Sequence, residues 1–117
     1  MLIGELARLT SVSPRLLRYY EQQGLLTSSR LPNGYRDYAE DAPLIVGQIR
    51  ALLDAGLPTE IIREVLPCAE GAPPRFGPCP GLSALLGEVL RNIESRMDQL
   101  AHHREALTRY LGAARTQ

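Results

Sequence analysis

The stretch that decides the fold is residues 14 to 38, PRLLRYYEQQGLLTSSRLPNGYRDY. Ser13 followed by Pro14 is a helix start, because serine caps and proline is tolerated at the first helical position. Leu16, Leu17 and Tyr20 then share one side of the predicted helix. Arg15, Arg18, Tyr19 and Gln22 share the other, at i, i+3, i+4 and i+7. Gly24 suits the C-terminal end of that helix. Further on, Asn33-Gly34 predicts a type I′ hairpin turn with positive φ at both central residues. The flanks Ser29 to Pro32 and Tyr35 to Tyr38 become its strands, with Pro32 tolerated only on an edge. A helix with a basic outer face, followed by a small basic hairpin, is a groove reader followed by a wing.

Upstream, Ile3, Leu6 and Ala7 form an apolar stripe on a first helix from about Ile3 to Leu9. Thr10 and Ser11 make the turn, and Val12 is buried beneath it. Two helices joined by so short a turn make a helix-turn-helix. Downstream, a third helix is expected over about Asp41 to Ala55, turning Ile45, Ile49, Leu52 and Leu53 inward. A fourth is expected over about Thr59 to Leu66. Residues 67 to 81, PCAEGAPPRFGPCPG, hold five of the nine prolines and three glycines. That density predicts a loop with no regular element. Beyond it, Leu82, Leu86, Val89, Ile93, Leu100 and Leu107 step by four and three, with Arg96 and His103 where the same steps predict apolar residues and Tyr110 continuing the series. So narrow a stripe on so long a helix suits a coiled-coil seam. The expected division is a winged helix-turn-helix domain with two supporting helices over 1–66, a loop over 67–81, a dimerisation helix over 82–112 and a tail over 113–117.

The 117 residues carry no net formal charge and are 44% hydrophobic, enough for a core. The charge is unevenly placed. Residues 1 to 36 hold Arg8, Arg15, Arg18, Arg30 and Arg36 against Glu5 and Glu21. A basic N-terminal third is a modest footprint for a polyanion. All thirteen basic residues are arginine, which GC-rich codon usage explains more simply than selection for phosphate contacts. No apolar run reaches the roughly 20 residues of a membrane span, and the N-terminus lacks a signal-peptide pattern. A cytoplasmic protein without membrane partners is the expectation. No nucleophile–histidine–acid set, phosphate loop or paired carboxylates appear, so neither an enzyme nor a cofactor is expected.

In IGELARLTSVSPRLLRYYEQQGLL, the wing NGYRDYAEDA and the helix pair IRALLDAGLPTEIIREVL, the chain resembles the MerR family of bacterial transcription regulators. The resemblance covers residues 3 to 66, and the long terminal helix agrees in position and character. It implies a mainly α fold: a winged helix-turn-helix dimer joined by an antiparallel coiled coil. It implies double-stranded promoter DNA and a second copy of the chain as partners, with RNA polymerase affected indirectly through DNA distortion. Carried over by position, Arg15, Arg18 and Tyr19 meet DNA from the recognition helix, and Arg36 and Tyr38 meet phosphates from the wing, with Arg30. An architectural or excisionase-like DNA binder and a coiled-coil adaptor without DNA binding are the competing readings.

Cys68 and Cys79, with ten residues between them, remain to be placed. The family's metal sensors carry cysteine ligands near the far end of the terminal helix, whereas both cysteines here precede it. Two cysteines do not make a four-cysteine iron–sulfur site within one subunit. Unremarkable thiols are the favoured reading. A reversible redox pair comes second and a metal site third, because the ligand set for a metal is incomplete.

Overall fold

The computed structural model describes residues 1 to 116; Gln117, the end of the expected tail, lies outside the described residues. It divides into two units, residues 1–79 and residues 80–117.

The first unit opens with α1 (Ile3–Thr10) and α2 (Pro14–Gln22). Ser11 ends α1 in the left-handed region at φ 56°, an uncommon backbone for a residue with a Cβ. It permits the tight turn that buries Val12. The Oγ of Ser13 accepts the Leu16 N–H at 3.2 Å, so the expected cap forms. At the other end of α2, Gly24 takes φ 75°. Its N–H donates to Glu21 O, and the Leu25 N–H donates to Tyr20 O. That pair of bonds is a Schellman closure, with buried Leu25 as its apolar plug. Arg63 covers this closure and donates its Nε to Gln23 O at 2.8 Å.

The wing is β1 (Ser29–Arg30) paired antiparallel with β2 (Arg36–Asp37), in the register Ser29 to Asp37 and Arg30 to Arg36. Its turn differs from the expected type I′. The turn spans Leu31 to Gly34 and is closed by the Gly34 N–H on Leu31 O at 2.8 Å. Pro32 and Asn33 are therefore its central residues, and only Gly34 has positive φ, at 86°. The reason is Pro32. Its fixed φ favours the first central position of a turn, so it draws the turn one residue toward the N-terminus. Asn33 Oδ1 then accepts the Tyr35 N–H, an Asx-type support.

Helices α3 (Ala42–Asp54) and α4 (Thr59–Val65) complete the core. Leu6, Leu17, Tyr20, Val46, Ile49, Ile62 and Val65 are each at most 2% exposed. The inward face of α3 is centred on Val46 and Ile49; Ile45 and Leu53, expected inward, are only half-buried. Leu16, expected in the core with Leu17, is 38% exposed. Helical rotation explains this: Leu17 and Tyr20 are three apart on the buried face, and Leu16 lies at its margin.

The proline-rich segment is more ordered than its composition predicts. A 3-10 turn (Leu66–Cys68) leads into β3 (Ala69–Glu70), which pairs antiparallel with β4 (Arg75–Phe76). The prolines fall outside the paired positions, so none removes a ladder hydrogen bond. Cys68 and Cys79, expected as plain thiols, are joined by a disulfide with Cα atoms 6.1 Å apart. Gln48 of α3 is buried, and its Nε2 donates to Gly71 O at 3.1 Å and Ala69 O at 3.5 Å.

The second unit contains one helix, α5 (Leu82–Arg115), three residues longer than expected at its C-terminal end. Its 34 residues extend roughly 51 Å at ~1.5 Å per residue. None of its described side chains is buried. Leu100, Leu107 and Tyr110 are each more than 60% exposed.

The corrected face of α2 has a direct test. Leu17→Ala is expected to cost about 2–5 kcal/mol, and Leu16→Ala no more than about 0.5 kcal/mol. Urea unfolding of both variants checks this; equal losses would return Leu16 to the core.

Candidate nucleic-acid interface

The outer face of α2 and the wing meet around one carboxylate. Glu21 Oε1 accepts the Tyr38 hydroxyl at 2.9 Å and the Ser28 hydroxyl at 3.0 Å. Its Oε2 accepts Arg36 Nε at 3.1 Å. One acidic side chain of the recognition helix thus holds the first residue of β2, the residue just after that strand and the loop leading into the wing. Burial pushes the Glu21 carboxyl up, but the three hydrogen bonds from Tyr38, Arg36 and Ser28, together with the Arg36 charge, outweigh it. The net direction is below the ordinary value of 4.5. Tyr38 is the counterpart: burial, then donation to Glu21 and the Glu21 charge, push its hydroxyl up to about 12.

This geometry sorts the expected contact residues. Arg15, Arg18 and Tyr19 are exposed on α2, with Tyr19 44% exposed. Arg30 is exposed and donates Nη1 to Gly34 O at 2.7 Å, bracing the wing turn. Arg36 is half-buried. Its Nε is committed to Glu21, and among the described residues its terminal nitrogens make no hydrogen bond. Tyr38 is corrected: at 1% exposure, with its hydroxyl on Glu21, it is a core residue that supports the wing rather than a phosphate contact. The alternation of β2 is the cause. Arg36 and Tyr38 share a face of the strand, and that face turns toward Glu21.

Between α1, α2 and the wing lies an open cleft of about 840 Å³. Arg8, Arg18, Arg30 and Arg36 line it against the single acid Glu5, with Tyr35 and Leu2 beside them. Four arginines against one glutamate give this concavity a net positive lining. Arginine forks match phosphate oxygens and guanine edges. Three residues of this site escape a reading by helical face. Arg8 is signalled only as a basic residue in the last turn of α1. Tyr35 is signalled only as an aromatic beside a turn, and it is 62% exposed. Glu21 looks like a solvated charge until the wing folds onto it.

On α5, the apolar row is broader than expected. Leu90, Met97 and Leu111 are 51–62% exposed and lie four residues beyond Leu86, Ile93 and Leu107. The stripe is therefore centred on Leu86, Ile93, Leu100 and Leu107. Leu82, Val89 and Tyr110 flank one side, and Leu90, Met97 and Leu111 flank the other. Spacing by four from the d-like residues carried that signal.

Comparison with known proteins agrees with this geometry. Residues 2–38 match the model of the MerR family regulatory protein. The HTH-type transcriptional regulator ZntR of Escherichia coli K12 is 32% identical over 108 residues, covering 92% of this chain and 75% of that protein. The transcription regulator PbrR691 from Ralstonia metallidurans CH34, solved in complex with lead(II), superposes with a TM-score of 0.75 at 25% identity. That match covers 92% of this chain and 82% of the other. HiNmlR, a MerR family regulator lacking the sensor domain and bound to promoter DNA, has a TM-score of 0.56 at 18% identity, over 95% and 86% of the two chains. That last likeness is one of fold.

The Glu21 network makes an acid-limb prediction. A carboxylate whose folded pKa is depressed contributes stability above its unfolded pKa, and that stability is lost as pH falls through the folded value. Urea midpoints of the parent should therefore decline from about pH 4.5 downward, and the decline in Glu21→Gln should be shallower. Identical acid limbs in the two proteins would show that Glu21 gains nothing from its partners.

Proposed function

The chain belongs to the MerR family of DNA-binding transcription regulators, and on that premise we propose that it works as a cytoplasmic homodimer on a promoter with two half-sites. The observation that carries this reading is the arginine-lined cleft between recognition helix and wing, held in shape by Glu21. Arg15, Arg18 and Tyr19 enter the major groove. Arg30 and Arg36, joined by Arg8, hold the flanking backbone. The apolar stripe of α5 pairs with its copy in an antiparallel coiled coil, because a helix of this length with no buried side chain requires a partner. The two bound half-sites bend and untwist a promoter whose polymerase elements are spaced too far apart, so polymerase is affected through the DNA. No helix among the described residues is long and apolar enough to cross a membrane. Dimerisation through α5 weighs against an architectural DNA binder, and the cationic cleft weighs against an adaptor without DNA.

Groove and backbone residues should fail differently. Arg36→Ala is expected to weaken binding to operator and random DNA alike and to reduce the salt slope by about 0.9. Arg18→Ala is expected to lower the ratio of operator to random affinity, by about 1–3 kcal/mol if it reads a base bidentately. Titrations at several salt concentrations distinguish the two. An unchanged ratio for Arg18→Ala would make it a backbone contact and shift specificity to Arg15, Tyr19 or DNA shape.

The dimer assignment is tested by ending the chain after Pro80. Sedimentation should report a monomer that still folds, because the core lies within residues 1–79. Its affinity for a two-half-site operator should fall as avidity is lost. A truncated protein that remains dimeric would remove α5 from the interface.

A further inference from the structure

We propose that Cys68 and Cys79 form a reversible thiol-oxidation site, and that a hydroperoxide is the oxidant which sets how firmly the winged unit is tethered to the dimerisation helix. The inference rests on the proposed function in one respect: its consequence for DNA requires the dimer on two half-sites.

The two sulfurs are already paired, across a hairpin that needs the pairing. Strands β3 and β4 have two residues each, and an isolated two-stranded hairpin is marginal in water. The other hold on it is the buried Gln48 amide, which donates to Gly71 O and Ala69 O. Cys68 ends the 3-10 turn after α4, and Cys79 stands three residues before α5 begins. With the bond closed, the chain crosses this segment in 6.1 Å between Cα atoms. With it open, the same chain reaches up to roughly 36 Å when extended. A longer, softer tether lowers the effective concentration of the second winged unit at its half-site. Both cysteines are only partly buried, so a small oxidant has access. A disulfide in the cytoplasm is most often a transient, redox-responsive one.

The chemistry balances with one hydroperoxide per pair. One thiolate attacks a peroxide oxygen; the O–O bond breaks, a sulfenic acid forms, and the released hydroxide (or alkoxide) takes a proton to leave as water or alcohol. The second thiolate attacks the sulfenic sulfur, the S–S bond forms, and hydroxide leaves as water with the other proton. The two sulfurs lose two electrons in total and the peroxide oxygens gain two. Thiol reductants reverse the step by exchange.

The test uses the full chain, reduced with dithiothreitol or oxidised with hydrogen peroxide. Peroxide should lower the intact mass by about 2 Da, the two thiol hydrogens. It should leave no disulfide-linked dimer on a non-reducing gel, and it should slow tryptic cleavage after Arg75 in the hairpin. Anisotropy is then measured on a DNA fragment from upstream of its own gene, and on that fragment cut at its dyad. Oxidation should tighten binding to the intact fragment about tenfold or more and change binding to the half-fragment less than about twofold. Cys68→Ser/Cys79→Ser should match the reduced protein under both treatments. Intermolecular disulfides, an unchanged mass, or equal affinity in both states would each overturn the proposal. So would reduced protein that takes up zinc or lead(II) through both thiols and ignores peroxide. If neither state bound any DNA, the regulator reading would fail, while the mass and cleavage results would still decide whether this is an oxidation site.

Discussion

The carboxylate of Glu21 is the constraint on which the DNA-binding geometry depends. A recognition helix and a two-residue-strand wing have little surface to hold them in a fixed relation. Hairpins this short are marginal alone. Glu21 supplies the missing coupling through three hydrogen bonds, two from hydroxyls and one from a guanidinium. Bonds to an ionised acceptor are roughly twice as strong as neutral ones, and the partly buried setting limits screening. The same ion pair orients Arg36, whose Nε is taken while the residue lines the cleft. An arginine held at one nitrogen loses less freedom on meeting phosphate than one free in solvent.

That arrangement explains why Tyr38 belongs with the scaffold. A tyrosine on a wing is a natural phosphate donor by type, and residue type is all that position in sequence conveys. Its 1% exposure and the 2.9 Å hydrogen bond it donates to Glu21 show it spending its hydroxyl there instead. Tyr35, just before β2, keeps an exposed aromatic surface beside the cleft.

Local chemistry made much of this legible in the sequence. The Ser13 cap, the Gly24 closure and the apolar stripe of α1 are each decided within a few residues, and each formed as read; on α2 only Leu17 and Tyr20 of the stripe are buried. Long-range relations were less legible. The wing turn shifted because Pro32 and Asn33-Gly34 make competing local demands, and the proline's fixed φ prevailed. The segment from 67 to 81 reads as a loop because proline and glycine density is a local signal. Its order instead comes from a disulfide and a buried glutamine of α3 that reaches carbonyls 21 and 23 residues further along the chain. The α5 stripe is wider than its four-and-three stepping implies because, beside the two rows through Leu86 and Val89, the helix carries a third through Leu90, Met97 and Leu111.

The neutral net charge adds a further constraint on mechanism. A chain with thirteen arginines and thirteen acids has little long-range attraction to DNA, since beyond a Debye length of about 8 Å its charges are screened. Its positive charge is concentrated in the cleft, where four arginines face one glutamate. One such cleft holds few phosphates, and each half-site is then weakly bound by itself. Useful affinity must come from engaging two half-sites at once, which multiplies weak contacts only if the two clefts are held at the right separation. On the proposed reading, a protein of this charge depends on the seam of α5 and on the stiffness of the segment leading into it. Both features lie outside the helix-turn-helix, and both set whether its few arginines suffice.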